Sequence, residues 1–386
     1  MFSARTGWDL TPNRLASLLE ARRRRGQPVL DLTETNPTRV GIACPPDLLA
    51  PLADPRALRY EPSPRGLAAA RAAVAEDHAR RGVPVDPDRI FLTASTSEAY
   101  AWLFKLLCDP GDAVLVPRPS YPLFSYLARL ESVDVHPYAL SYDGEWHLSV
   151  DAVREALTAR TRAVVVVSPN NPTGSYLKRT EADVLLALCA ERNLAVVSDE
   201  VFADYAFAPD PRRVASLAGD GAALAFSLGG LSKSCGLPQL KLAWIAVSGP
   251  EKWRARAIER LEVVADTYLS VSTPVQRAAG ALLARRPELQ RPIAERIDAN
   301  RDALRRRAGA GSPATILHAE GGWSAVLQVP ATNSEDDLVA RLLQEHGVLV
   351  HPGYFFDFPR EAFLVLSLLP PPESFADAVD RVVAVL

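Results

Sequence analysis

Lysine is the scarce cation of this sequence. Of 43 basic residues in 386, five are lysines (Lys105, Lys178, Lys233, Lys241 and Lys252) and 38 are arginines. Arginine serves a solvated surface as well as lysine does, but it does not shed its proton near neutral pH to act as an amine nucleophile. The five lysines are therefore the first places to look for chemistry, against the ordinary reading of each as a surface charge. Other absences narrow the classes. The four cysteines, Cys44, Cys108, Cys189 and Cys235, lie far apart with no CxxC pair, which argues against a disulfide framework or a zinc site and fits a reducing compartment. The six histidines never form HxxxH or HExxH, so no metal is expected. No apolar run reaches ~18 residues and the N-terminus lacks a signal-like apolar segment, so no membrane association is expected and the cytoplasm is the default. A net charge of −3 provides no basic field for nucleic acid.

What is present reads as a large α/β protein. The chain is 48% hydrophobic and long enough for two or three domains of ~150 residues. From about residue 90, short apolar runs (Ala113–Val116, Ala163–Val167, Ala195–Val197, Ala223–Phe226, Ala243–Val247) alternate with helical patterns at Glu98–Leu107, Leu123–Leu130, Val150–Leu157 and Glu181–Arg192. That rhythm predicts a mostly parallel sheet flanked by helices. After about residue 275 it changes. A helical stretch over Arg277–Arg307, broken by Pro287 and Pro292, precedes strands at Trp323–Val329, Val348–His351 and Phe363–Leu368, with a helix near Ser334–Glu345. This predicts a smaller α+β domain. The expected organisation is an N-terminal segment 1–45 joining the small domain, a large domain 46–275 and a small domain 276–386. The basic run Arg22–Arg25 ends an amphipathic stretch and reads as a solvated helix end.

Four segments stand at predicted strand ends, where ligands of parallel sheets bind. Ser95-Thr96-Ser97 opens a helix, whose free N–H groups and dipole suit an anion, although taken alone the segment reads first as plain N-capping. Asn170-Asn171-Pro172-Thr173-Gly174 and Ser198-Asp199-Glu200 place an amide and a carboxylate after neighbouring strands. Ser232-Lys233-Ser234 sets a lysine among small residues after a fourth. Together they ask for a ligand with a phosphate, an aldehyde that takes an amine, and a basic ring nitrogen. Pyridoxal 5'-phosphate (PLP) has all three.

With these residues in order, joined by Tyr60-Glu61-Pro62, Pro119-Ser120-Tyr121-Pro122, Gly321-Gly322-Trp323 and Pro352-Gly353, the chain resembles the fold-type I PLP enzymes of the class I/II aminotransferase family. The resemblance implies that Lys233 forms the internal Schiff base and moves the substrate proton, and that Asp199 pairs with the ring nitrogen. It implies that Asn171 bonds the phenolic oxygen and that Tyr121 stacks on the ring. Ser95, Thr96, Ser97 and Lys241 would hold the phosphate, joined by Tyr60 from the other subunit of a homodimer and, less directly, by Ser272 or Thr273. The implied reaction is ping-pong transfer of an amino group from an amino acid or amine to a keto or aldehyde acceptor.

The sequence departs from that family at several positions. Phe202 stands where a tyrosine is usual, with Tyr205 a nearby substitute, and Ser95, Cys235 and Lys241 stand for the usual glycine, aromatic and arginine. Val365 occupies the place of the arginine that grips the substrate carboxylate; Arg39, with Asn36 in the same segment, and Arg360 are the alternative contacts. These departures leave open a β-eliminating C–S lyase or a non-catalytic PLP-binding regulatory protein.

Overall fold

The computed structural model describes residues 1–309 and 311–386. Eight strands form one mixed sheet, in the order Ile90–Thr93, Ala243–Ser248, Ala225–Gly230, Ala195–Asp199, Thr161–Val167, Ala113–Arg118, Asp134–Tyr142, Trp146–Leu148. The five from Ala225–Gly230 to Asp134–Tyr142 are mutually parallel. Ala243–Ser248 is inserted antiparallel between Ile90–Thr93 and Ala225–Gly230, and Trp146–Leu148 adds an antiparallel edge. Covered on both faces, the central strands have no polar side to show, so Val164, Val165, Val196 and Val197 follow one another without alternation. Helices Thr96–Leu107, Leu123–Leu130 and Glu251–Tyr268 bury one face of the sheet, while Val150–Ala156 and Arg179–Arg192 bury the other.

Three strands of this sheet escaped the sequence reading. Asp134–Tyr142 alternates weakly and contains Pro137, and Ile90–Thr93 and Trp146–Leu148 have only four and three residues. Ile90–Thr93 is held by pairing to the distant Ala243–Ser248 and Asp134–Tyr142 by pairing to Ala113–Arg118, while Trp146–Leu148 closes a hairpin with Asp134–Tyr142.

The C-terminal part carries a four-stranded antiparallel sheet, Thr315–Ile316, Ser324–Gln328, Phe363–Ser367 and His351–Pro352, packed with helices Arg286–Ala308, Glu335–His346 and Pro372–Val385. The N-terminal Leu30–Asp31 pairs in parallel with Val348–Leu349, and Arg14 pairs with Asp337 at 2.6 Å. The proline reading needs one correction. The helical stretch divides at Arg285, and Pro287 sits in the first turn of Arg286–Ala308, where its missing N–H has no intrahelical partner to lose. Pro292 lies inside that helix without ending it, because Leu289, Ile293 and Ile297 on either side are buried. Packing outweighs a local cost of ~3 kcal/mol.

Candidate active site

Thr93, Arg118, Val167, Asp199 and Gly230 end their strands at one edge of the large sheet, and the loops that follow converge there. Lys233 lies in the single helical turn Leu231–Ser234, directly after the Ala225–Gly230 strand. Its amine makes no hydrogen bond or ion pair among the described residues. It sits 4.9 Å from the ring centre of Trp323 and 5.4 Å from that of Phe202. The aromatic walls are themselves braced, because Trp323 meets Phe202 and Tyr205 edge-to-face at 5.2 and 5.1 Å. Burial pushes the Lys233 amine down to about 8, with the Asp199 charge acting in the opposite direction.

Asp199 closes the adjacent strand. It accepts hydrogen bonds from the Tyr100 hydroxyl (3.1 Å) and the Val201 amide (3.2 Å). Burial raises its carboxyl to about 6, against the lowering effect of those two bonds. A desolvated carboxylate with no paired cation, beside a desolvated amine with no paired anion, is stable only weakly by itself. Such groups are poised for a ligand. Tyr100 was missed in the sequence, although its place one turn into the helix that opens at Thr96 points it back under that helix's own start.

The helix start is built by Ser95. Its hydroxyl accepts the Glu98 amide (3.1 Å), while Glu98 accepts the Ala94 amide (2.7 Å) and the Ser270 hydroxyl (2.6 Å). Thr96 and Ser97 occupy the first two helical positions, and their hydroxyls have no protein partner among the described residues. Lys241 adopts the left-handed conformation (φ 52°) two residues before the Ala243–Ser248 strand and is exposed. Asn171 lies between strand Thr161–Val167 and helix Arg179–Arg192, where its Oδ1 receives the Ser324 hydroxyl at 3.4 Å. Tyr121 and Tyr60 are both exposed, at 46% and 74%.

The remaining candidates are placed differently. Arg39 is 71% exposed and pairs with Glu34 at 3.3 Å. Asn36 spends its carbonyl on the Thr38 amide and hydroxyl, at 3.0 and 2.7 Å. Among the described residues no hydrogen bond or ion pair joins either to Lys233 or Asp199. Arg360 lies against the Phe363 ring. Val365 is buried with Trp146, Val326, Phe356, Phe358 and Phe363, so the sheet position read as a missing arginine belongs to an apolar cluster. Tyr205 does not present its hydroxyl as a free donor; it donates to the Lys233 main-chain carbonyl at 2.8 Å.

A second lysine is tied to the same segment. Lys178 is buried and ion-paired with Glu320, which also pairs with Arg213 at 3.0 Å and accepts the Tyr176 amide at 3.1 Å. Glu320 stands three residues before Trp323, and the Gly322 amide donates to the Tyr205 carbonyl at 3.0 Å. The segment that carries Trp323 to Lys233 is thus clamped at its start by buried charge.

The site residues fit the cofactor inferred from the sequence. An unpaired amine suits its aldehyde, an unpaired carboxylate suits its ring nitrogen, and a helix start with free hydroxyls suits its phosphate. The indole N–H of buried Trp323 likewise lacks a protein acceptor.

Comparison with known proteins gives the family. The sequence family described as aminotransferase class I and II matches residues 30–382. Glutamate-pyruvate aminotransferase AlaA of Escherichia coli is 30% identical over 267 residues, covering 68% of this chain and 65% of that protein. The matched stretch thus falls just short of two thirds of that relative's length. Alanine aminotransferase of Mycobacterium tuberculosis is 28% identical over 379 residues, covering 95% of this chain and 86% of that protein. Alanine aminotransferase from Pyrococcus furiosus superposes with a TM-score of 0.89 at 24% identity, over 99% of this chain and 98% of that one.

Proposed function

From the premise that the chain belongs to the class I and II aminotransferases, we propose that it uses PLP to move an amino group from an amino acid or amine to a keto or aldehyde acceptor. The observation that carries this reading is the unpaired Lys233 amine beside the unpaired Asp199 carboxylate at the edge where the parallel strands end. When bound, the cofactor supplies an electron sink for the substrate carbon next to nitrogen.

The protein supplies the rest. Lys233 would hold the cofactor through its aldehyde, and its amine is the group that would take and return the proton at the substrate carbon. An amine lowered to about 8 has a substantial neutral fraction near neutral pH, which a lysine at its usual value lacks. Asp199 would face the ring nitrogen and hold a proton there, and Tyr100 fixes its carboxylate. Asn171 would contribute a hydrogen bond to the ring's phenolic oxygen, and Tyr121 would pack against the ring. Ser95, Thr96, Ser97 and Lys241 receive the phosphate, with the helix dipole contributing. Trp323 and Phe202 exclude water from the amine.

Tyr60, three-quarters exposed in the isolated chain, fits the role of a residue lent to a second copy, which makes the working unit a homodimer. Arg39, with Asn36, is the proposed contact for a donor carboxylate, which requires Arg39 to exchange Glu34 for substrate. Residues 46–275 and 276–386 act as the large and small domains, the latter joined by residues 1–45. No helix among the described residues is long and apolar enough to cross a membrane, and we place the protein in the cytoplasm.

The test follows nitrogen. With a 15N-labelled donor, the label passes to the acceptor, initial rates give the parallel-line pattern of a ping-pong cycle, and K233A loses the transfer by at least ~10³-fold. Release of ammonia and a keto acid without any acceptor sinks the transaminase reading in favour of elimination.

A further inference from the structure

The opposite edge of the large sheet carries a second concavity. A cavity of about 470 Å3 opens where strands Thr161–Val167, Ala195–Asp199 and Ala225–Gly230 begin, whereas Lys233 and Asp199 stand where such strands end. Its volume lies within the ~300–1,000 Å3 of small-molecule sites. Its wall is apolar, formed by Leu106, Leu107, Leu194, Leu224 and Ala257. Its rim is cationic, with Arg162, Lys252, Arg256 and Arg260, and no aspartate or glutamate lines it.

The cations are poorly compensated. Arg162 is held by Asp112 at 2.8 Å, but Lys252, Arg256 and Arg260 form no ion pair among the described residues. They follow one another at i, i+4 and i+8 on helix Glu251–Tyr268, so they share one face and repel along it. Lys252 and Arg256 lean on the half-exposed ring of Trp253, at 5.5 and 5.3 Å from its centre. A chain whose net charge is −3 has acidic residues to spare, yet none lines this cavity, and the one carboxylate paired at its rim, Asp112, is spent on Arg162. An anionic group would relieve the repulsion, and an apolar body would dry the leucine wall.

We propose that this cavity binds a small carboxylate with an aliphatic or aromatic body, its head among Lys252, Arg256 and Arg260 and its body against Leu107, Leu194 and Leu224. The occupant is chosen by charge complementarity with an apolar wall, and the site is independent of the Lys233 chemistry.

Calorimetric titration of the full-length protein with octanoate, octanol and octylamine tests it. Octanoate is expected to bind saturably, one per chain, to weaken as salt is raised, and to lose at least about tenfold in affinity in R256Q/R260Q while K233A binds it as before. Octylamine is expected not to bind. Several outcomes overturn the proposal: no saturable octanoate binding, octanol binding as tightly as octanoate, or R256Q/R260Q retaining full affinity. Loss of binding in K233A instead assigns the ligand to the Lys233 site. If R256Q/R260Q dissociates the oligomer and no octanoate binds, the face is an interface between copies.

Discussion

Two lysines lie close to the same stretch of chain and have opposite surroundings. Lys178 is buried against Glu320, with Arg213 on the other carboxylate oxygen and the Tyr176 carbonyl accepting a further bond at 3.1 Å. Lys233, against Trp323 three residues further on, has only ring faces and a carboxylate acting at a distance. Lys178 is satisfied and ties the 320–323 segment to the large sheet. Lys233 is left wanting, and its proton is easier to remove. Burial with a partner keeps a lysine charged; burial without one lowers its proton affinity, which is what the proposed role of Lys233 requires.

The sharpest way to break this contrast is to remove the partner that Lys178 has. E320A leaves a buried ammonium and Arg213 without their shared carboxylate, and it is expected to destabilise the protein by roughly 3–5 kcal/mol. E320Q, which still accepts the Tyr176 and Lys178 donors, is expected to lose less. Urea denaturation of the three proteins measures both. Equal stability of E320A and the wild type would show that the triad is solvated and that the contrast is false.

Removing Lys233 is expected to act in the opposite sense. In the cofactor-free protein its amine titrates at about 8, below the 10.5 of an unfolded lysine. The unfolded state therefore binds more protons between those values, and unfolding free energy rises as pH rises through that window. The penalty is complete below about pH 8 and gone above about 10.5. K233M is then expected to exceed the wild type at pH 7, by on the order of 1–3 kcal/mol, with the gap closing toward pH 10.5. The difference between the two proteins isolates Lys233 from tyrosines and cysteines that titrate in the same range. A gap that is absent at pH 7, or that widens with pH, contradicts the unpaired amine.

The two lysines also mark how far sequence reasoning reaches. The parallel sheet was legible because valine-rich runs such as Ala163–Val167 have no polar side, and the edge bearing Lys233 and Asp199 followed from what comes after those runs. Lys178 gave no signal, since its partner lies 142 residues away and neither residue belongs to a local pattern. The same limit hid Tyr100 beneath Asp199 and Trp323 beside Lys233: both are contacts made by the fold rather than by spacing. Val365 was read as standing where a carboxylate-gripping arginine is usual; its aromatic neighbours Phe356 and Phe358 come from the turn before its strand and Trp146 from the edge of the other sheet, so no local pattern signalled the cluster.

The finest test of the contrast concerns how Lys233 is aimed. Tyr205 lies three residues beyond Phe202, packs against Trp323, and donates its hydroxyl to the Lys233 carbonyl at 2.8 Å. It therefore holds both the backbone that carries the amine and the ring that dries it. Y205F keeps the ring and deletes the bond, leaving one carbonyl without its donor. The expected stability loss is ~1 kcal/mol. Because the amine's freedom increases while its surroundings stay apolar, the pH dependence contributed by Lys233 is expected to shrink in the same variant. A stability loss with that dependence intact would make Tyr205 a brace for the fold alone, and the low proton affinity of Lys233 would then rest on Phe202 and Trp323.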